Sequence, residues 1–374
     1  MKSDKLGIYI HIPFCIKKCN YCDFCSFPNK LDEITSYAEE LCRRICDFSK
    51  KHGMRSVDTI YFGGGTPTLM NTECFFSIMS ALRVSFDISC NAEITVECNP
   101  ATIEKKGLAE LRALGINRLS IGLQSADDDE LRLLGRLHDW NGFLNTYNAA
   151  RSVGFDNISV DLMYGIPNQT VESFKRTLEK VVLIQPDHIS SYGLKIEKNT
   201  EFYKNFGAYV FPTEEEQAEL YELCCEYLFS CGYRRYEISN FAKPGYESRH
   251  NLKYWLLDDY IGFGVAAHSC FEGERFGNSN DYNAFLNCKD ICGERKTISQ
   301  DEYINEYVML NLRLESGISL SEFRNLAGLD FKIAYPCVEE FIKMGFMQEH
   351  SERVMFTTKG FLVSNTILSQ MLDF

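Results

Sequence analysis

What the chain lacks narrows it first. No apolar run among its 374 residues approaches the length of a membrane span. Met1 to Lys5 is polar, so a secretory leader is not expected. Basic residues are too few to balance the acidic ones: 39 Lys and Arg face 52 Asp and Glu, for a net charge of −13. A negative field of that size disfavours phosphate backbones, and no basic patch of useful length offsets it. Nucleic acid is therefore not an expected partner. There is no internal repeat and no low-complexity segment. Cysteine runs the other way. Its 16 residues are scattered through a long chain rather than spaced as a disulfide framework. That usage fits a reducing, cytoplasmic setting with thiols free for metal.

The length suffices for one large domain and a smaller one. Strand-like runs fall at 6–12, 57–62, 93–97, 118–123, 158–163 and 189–196, with helical patterns at 31–51, 102–114 and 170–184 between them. Six strand–helix alternations predict parallel strands joined by crossover helices. Two further repeats would be needed for a closed eight-stranded barrel. The expected fold is α/β, a partial six-stranded (β/α)6 TIM-like barrel over residues 1–235. Residues 236–297 are expected as a linking region. Residues 298–374 read as a small, mainly helical module with a hairpin near 346–356, similar to a winged helix. That module holds six basic residues against eleven acidic ones over 301–374, which argues against DNA reading.

The chemistry starts at the first strand's end. Cys15, Cys19 and Cys22 stand at C-x3-C-x2-C. Three thiolates on one short loop suit three irons of a [4Fe-4S] cube, leaving the fourth iron open for a small molecule. A zinc site needs a fourth ligand, for which Cys25 is the candidate. Three unrelated buried thiols are the bland alternative. Gly63-Gly64-Gly65-Thr66-Pro67 follows the second strand. Its glycines allow close backbone approach to a ligand, but it lacks the Lys-Ser/Thr of a phosphate-binding loop. Glu97 ends the third strand in Glu97-Cys98-Asn99-Pro100, and Gln124 the fourth. Arg136 can fork a carboxylate, and Asp161 can accept from hydroxyls. Each alone reads equally well as structure. Farther on, Arg249-His250-Asn251-Leu252-Lys253-Tyr254-Trp255 places an imidazole and a phenol, both natural iron ligands, among aromatic rings. From the residues alone, a histidine satisfied inside the fold is the simpler reading of His250. His268 faces the same choice between a site and a glycine-rich turn.

The cysteine spacing, with Tyr21 before the last cysteine, resembles the signature of the radical S-adenosylmethionine (SAM) superfamily. The words YIHIPFC and YCDF resemble the oxygen-independent coproporphyrinogen III oxidase family, and the likeness extends over almost the whole chain. It implies a [4Fe-4S] cluster on Cys15, Cys19 and Cys22, with S-adenosyl-L-methionine chelating the open iron. It implies SAM contacts from Gly64, Gly65, Thr66, Glu97, Gln124, Arg136 and Asp161, with Tyr9 and Tyr21 near cluster and SAM. HNxxYW resembles the heme-binding motif of the HemW-type heme chaperone branch, which implies His250 and then Tyr254 as heme ligands. The oxidase pattern carries C-x3-C-x2-C-x-C behind a longer N-terminal extension. Here Phe24 holds the fourth-cysteine position and fourteen residues precede Cys15.

The expected function is thus a heme chaperone that binds heme, cluster and SAM and passes heme to an acceptor protein of unknown identity. It is expected to lack coproporphyrinogen III oxidase activity and to have no membrane span, with contact at a membrane surface left open. The alternatives are oxidative decarboxylation of coproporphyrinogen III in porphyrin metabolism, or a radical SAM enzyme with an unrelated substrate.

Overall fold

The computed structural model describes residues 4–100 and 102–372. Met1 to Ser3, part of the polar start, lie outside them. Six parallel strands form the centre: β1 Leu6–Ile12, β2 Ser56–Gly64, β3 Asp87–Cys98, β4 Arg118–Gln124, β5 Ile158–Tyr164 and β6 His188–Gly193. They pair in chain order. Helices Ile34–His52, Thr72–Ser85, Lys105–Ala113, Trp140–Ser152 and Val171–Leu183 supply the crossovers. This is the α/β, six-stranded partial barrel expected of the strand–helix alternation.

The strand sequences explain why a cavity forms inside. Strand side chains alternate between two faces. On β4, Leu119, Ile121 and Leu123 are buried in the core beneath the helices. Arg118, Ser120, Gly122 and Gln124 turn the other way and line the interior cavity. The apolar half of each strand holds the helices on, while the other half furnishes a polar interior.

The expected linking region is not a linker. Its strands extend the same sheet at both edges. β7 Arg234–Glu237 and β8 Asn240–Ala242 add antiparallel beside β6. β9 Tyr260–Phe263 pairs parallel with β1, and β10 His268–Phe271, β11 Glu274–Gly277 and β12 Lys296–Thr297 continue antiparallel beyond it. These strands are two to four residues long, too short to give a clear alternation in sequence.

Residues 300–371 build a second apolar cluster around Val308, Phe323, Phe331, Val354 and Phe361. A three-stranded sheet, Ile318–Ser319, Met347–His350 and Arg353–Phe356, carries the expected hairpin. The helix expected over 331–344 is broken into Phe331–Ala334 and Val338–Lys343. Pro336 between them cannot donate to a helical ladder. Among the described residues, no helix is long and apolar enough to cross a membrane.

Candidate functional site

A cavity of about 520 Å³ opens at the C-terminal ends of the parallel strands. Cys15, Cys19 and Cys22 reach it from the loop after β1. That loop is pinned on two sides. The Phe27 N–H donates to Pro13 O (2.6 Å), and the Asn20 N–H and Nδ2 donate to Leu134 O and Leu133 O at 3.0 and 2.8 Å. The Gly65 and Thr66 N–H groups donate to Ile12 O and Phe14 O (2.8 and 2.7 Å). A Cβ on Gly65 would sit 2.6 Å from Phe14 O and 3.1 Å from Cys15 Sγ, so only glycine permits this contact. The Thr66 hydroxyl lies 3.7 Å from Cys15 Sγ.

Burial raises the thiols of Cys15 and Cys22, the latter to about 11. They stay protonated at neutral pH unless a metal displaces the proton. Among the described residues, no three His, Cys, Asp or Glu side chains are grouped to hold a single metal ion. The donor set present is three thiols around one cavity, which fits a cluster of several irons.

Across the cavity, Glu97 is hydrogen-bonded by the Tyr61 hydroxyl and the Gly64 N–H, both at 3.0 Å. Burial, and then the charge of Asp161, raise its carboxyl to about 7. Asp161 is itself held by the Ser120 hydroxyl, 3.0 Å from both carboxylate oxygens, and by Ser159 at 3.1 Å. Two carboxylates converging on one buried cavity favour a cationic guest. The Arg136 guanidinium donates to Asn99 Oδ1 (2.8 Å) and Gly122 O (2.6 Å) and lies 3.6 Å from Cys19 Sγ. Gln124 takes a left-handed backbone, φ 74°, where β4 slips register against β5.

The structure therefore brings together Cys15, Cys19, Cys22, Tyr21, Gly64, Gly65, Thr66, Glu97, Gln124, Arg136 and Asp161 on one cavity. Arg118, Ser190, Tyr192 and Asn251 also line it and were not expected. Arg118 is fully buried and its Nε has no hydrogen-bond partner among the described residues. The alternation within RLSIGLQ was the signal for it, since Arg118 shares parity with Gln124.

Two expected residues lie elsewhere. Tyr9 does not line the cysteine cavity. It lines a neighbouring one of about 730 Å³ and bonds His11 Nδ1 through its hydroxyl (3.0 Å). β1 alternates, and Tyr9 stacks on Tyr61 of β2 rather than reaching the loop. His250 is the larger correction. It is 0% exposed on the helix Arg249–Trp255. Its Nδ1 pairs with Thr59 Oγ1 (2.9 Å) and its Nε2 with the Tyr254 hydroxyl (2.7 Å). Its ring stacks on Tyr61, and its N–H donates to Glu93 Oε1 (3.0 Å). Burial, then the nearby Lys253, lowers its imidazole to about 3, so the ring is neutral. Both nitrogens are engaged, which leaves none for iron. Tyr254 alone of the pair reaches the larger cavity.

A parallel strand array with three loop cysteines facing paired carboxylates defines a radical SAM protein. The Radical SAM superfamily description matches residues 9–181, and that of the HemN C-terminal domain matches residues 298–363. Heme chaperone HemW of Bacillus subtilis is 33% identical, covering 97% of this chain and 98% of the relative. Heme chaperone HemW of Escherichia coli is 32% identical over 100% and 99%. The solved structure of coproporphyrinogen III oxidase (HemN) from Escherichia coli is 26% identical, with a TM-score of 0.86, covering 98% of this chain and 89% of that one. The chain belongs to the HemW heme chaperone family.

Proposed function

We propose that this protein is a cytoplasmic heme chaperone that carries a [4Fe-4S] cluster and S-adenosyl-L-methionine, binds heme, and hands it to an acceptor protein. The observation that carries the reading is the second, larger cavity beside the cysteine loop, whose wall includes Phe24, Phe27, Tyr254 and Tyr260. Aromatic walls of that kind suit a flat macrocycle. Full-length similarity to chains named heme chaperones supports it.

Cys15, Cys19 and Cys22 would hold the cluster, and Glu97, Asp161, Arg136, Gln124 and the Gly64–Thr66 loop the SAM. When bound, the pair would supply one-electron chemistry at an iron without a protein ligand. Glu97 and Asp161 bind and orient a cationic guest. Tyr61 and the Gly64 N–H hold the Glu97 carboxylate in place for it. Arg136, fixed by Asn99 and Gly122, offers a cation to a carboxylate. Tyr254 presents its phenol to the larger cavity, with His250 holding that hydroxyl from behind.

The experiment offers anaerobically reconstituted protein hemin and coproporphyrinogen III in parallel. A Soret band without protoporphyrinogen formation is expected. Turnover of the porphyrinogen would replace the chaperone reading with the oxidase, which the HemN fold match favours.

A further inference from the structure

Two histidines line the larger cavity, His11 and His268, and a third, His250, lies behind its wall. His11 is spent: its Nδ1 pairs with Tyr9 and its Nε2 with Cys25 O (2.9 Å). His250 is spent and lies behind the wall. His268 differs from both. It opens β10, is exposed, and lines the cavity. Its ring has no hydrogen-bond partner among the described residues. Its cross-strand neighbour is Gly277. A Cβ there would come within 2.7 Å of His268 Nδ1, so the glycine makes the room in which this imidazole stands over the strand.

The rest of the wall has the chemistry of a porphyrin site. Phe24, 66% exposed, is a large apolar ring in water on the cavity's rim. An exposed aromatic beside a cavity gains by stacking on a flat guest. The Lys18 ammonium, on the same wall, hydrogen-bonds a backbone carbonyl, Phe24 O, at 3.2 Å. It is available to a propionate. Asp23 is the one acidic side chain in the wall.

We propose that heme seats in this second cavity with His268 as its axial iron ligand and Phe24 against its face, rather than on His250 of the HNxxYW helix. The site rests on the heme-chaperone reading. It also gives Phe24 a role at the position between the two cavities, since Lys18, Asp23 and Phe24 line both. An imidazole with a free nitrogen is the ordinary ligand of heme iron, and among the described residues His268 is the histidine of this wall whose ring nitrogens have no hydrogen-bond partner.

The test is a heme titration of the cluster-loaded protein, followed by Soret absorbance and by the electron paramagnetic resonance of the ferric iron. His268→Ala should weaken heme binding at least tenfold and move the band. His268→Gly should recover both when imidazole is added. Gly277→Leu, which leaves every ligating atom in the chain, should reproduce the loss by displacing the ring. Cluster absorbance should be unchanged in all three, as a control for folding. Wild-type protein that forms no Soret complex would overturn the heme reading and this site with it. A wild-type complex whose affinity and spectrum survive His268→Ala would overturn the site alone.

Discussion

The cysteine loop and the HNxxYW helix both stand out in the sequence, and the fold treats them in opposite ways. The loop gathers three thiols onto one cavity, where two carboxylates and an arginine meet them from other strands. The helix turns its histidine inward. Ser248 caps it, the Arg249 and His250 N–H groups both donate to Glu93, and Lys253 Nζ lies 2.9 Å from Asp58. One motif displays its reactive atoms, and the other uses them to fasten strands β2 and β3 to the segment behind them. Residue type and spacing alone do not separate these uses. Whether the atoms have other partners does.

The largest expected effect is on the first side of this contrast. Cys19→Ser should abolish the cluster's iron and absorbance, because two thiolates cannot hold three irons. Cys25→Ser should leave both, since Cys25 lines the other cavity and not the cysteine one. Iron retained in Cys19→Ser would break the assignment.

Next in size is Glu97→Ala. It should weaken SAM binding by roughly 2–4 kcal/mol, the loss typical of removing one partner of a buried charge pair. Heme binding should be unaffected in the same titration. In the wild type, SAM affinity should rise as pH climbs through about 7, where the Glu97 carboxyl ionises. Isothermal titration between pH 6 and 8 reads that slope, and a flat profile would remove Glu97 from the cation's environment.

On the other side of the contrast, His250→Ala should cost about 2–4 kcal/mol of folding stability. It opens a cavity and strips Thr59 and Tyr254 of a partner. Denaturant unfolding measures this. A variant as stable as wild type would show that the histidine is not a fastener.

The smallest effect concerns pH. Burial depresses His250 to about 3 and lowers His188 well below its usual range. Both take up protons more readily in the unfolded chain. Their contribution is therefore present above about 6.5 and is lost as pH falls below it toward the folded values. The unfolding midpoint should drop between pH 7.5 and pH 5.5, and less so in His250→Phe.

Much of this was legible in the sequence. The six central strands fall where their apolar, β-branched runs lie, with β1 spanning Leu6–Ile12 as expected. The three cysteines follow the end of β1, and Glu97 and Gln124 close β3 and β4, which is where parallel α/β folds put their sites; Asp161 sits further back, in the middle of β5. Two things were not legible. The short strands β7 to β12 hold the sheet edges through backbone bonds that carry no side-chain pattern. The saturation of His250 depends on Thr59, Tyr61 and Glu93, some 157 to 191 residues away for the hydrogen-bonding pair. Long-range partners of that kind leave no mark beside the motif itself.

The central claim is that cluster with SAM and heme occupy separate, adjoining cavities. Sequential titration of the cluster-loaded protein with SAM and then hemin tests it most directly. Two separate cavities predict that both bind at once, each with the affinity it has alone to within a few-fold, and that the Soret band adds to an unchanged cluster spectrum. Stoichiometric release of SAM as heme binds would contradict it.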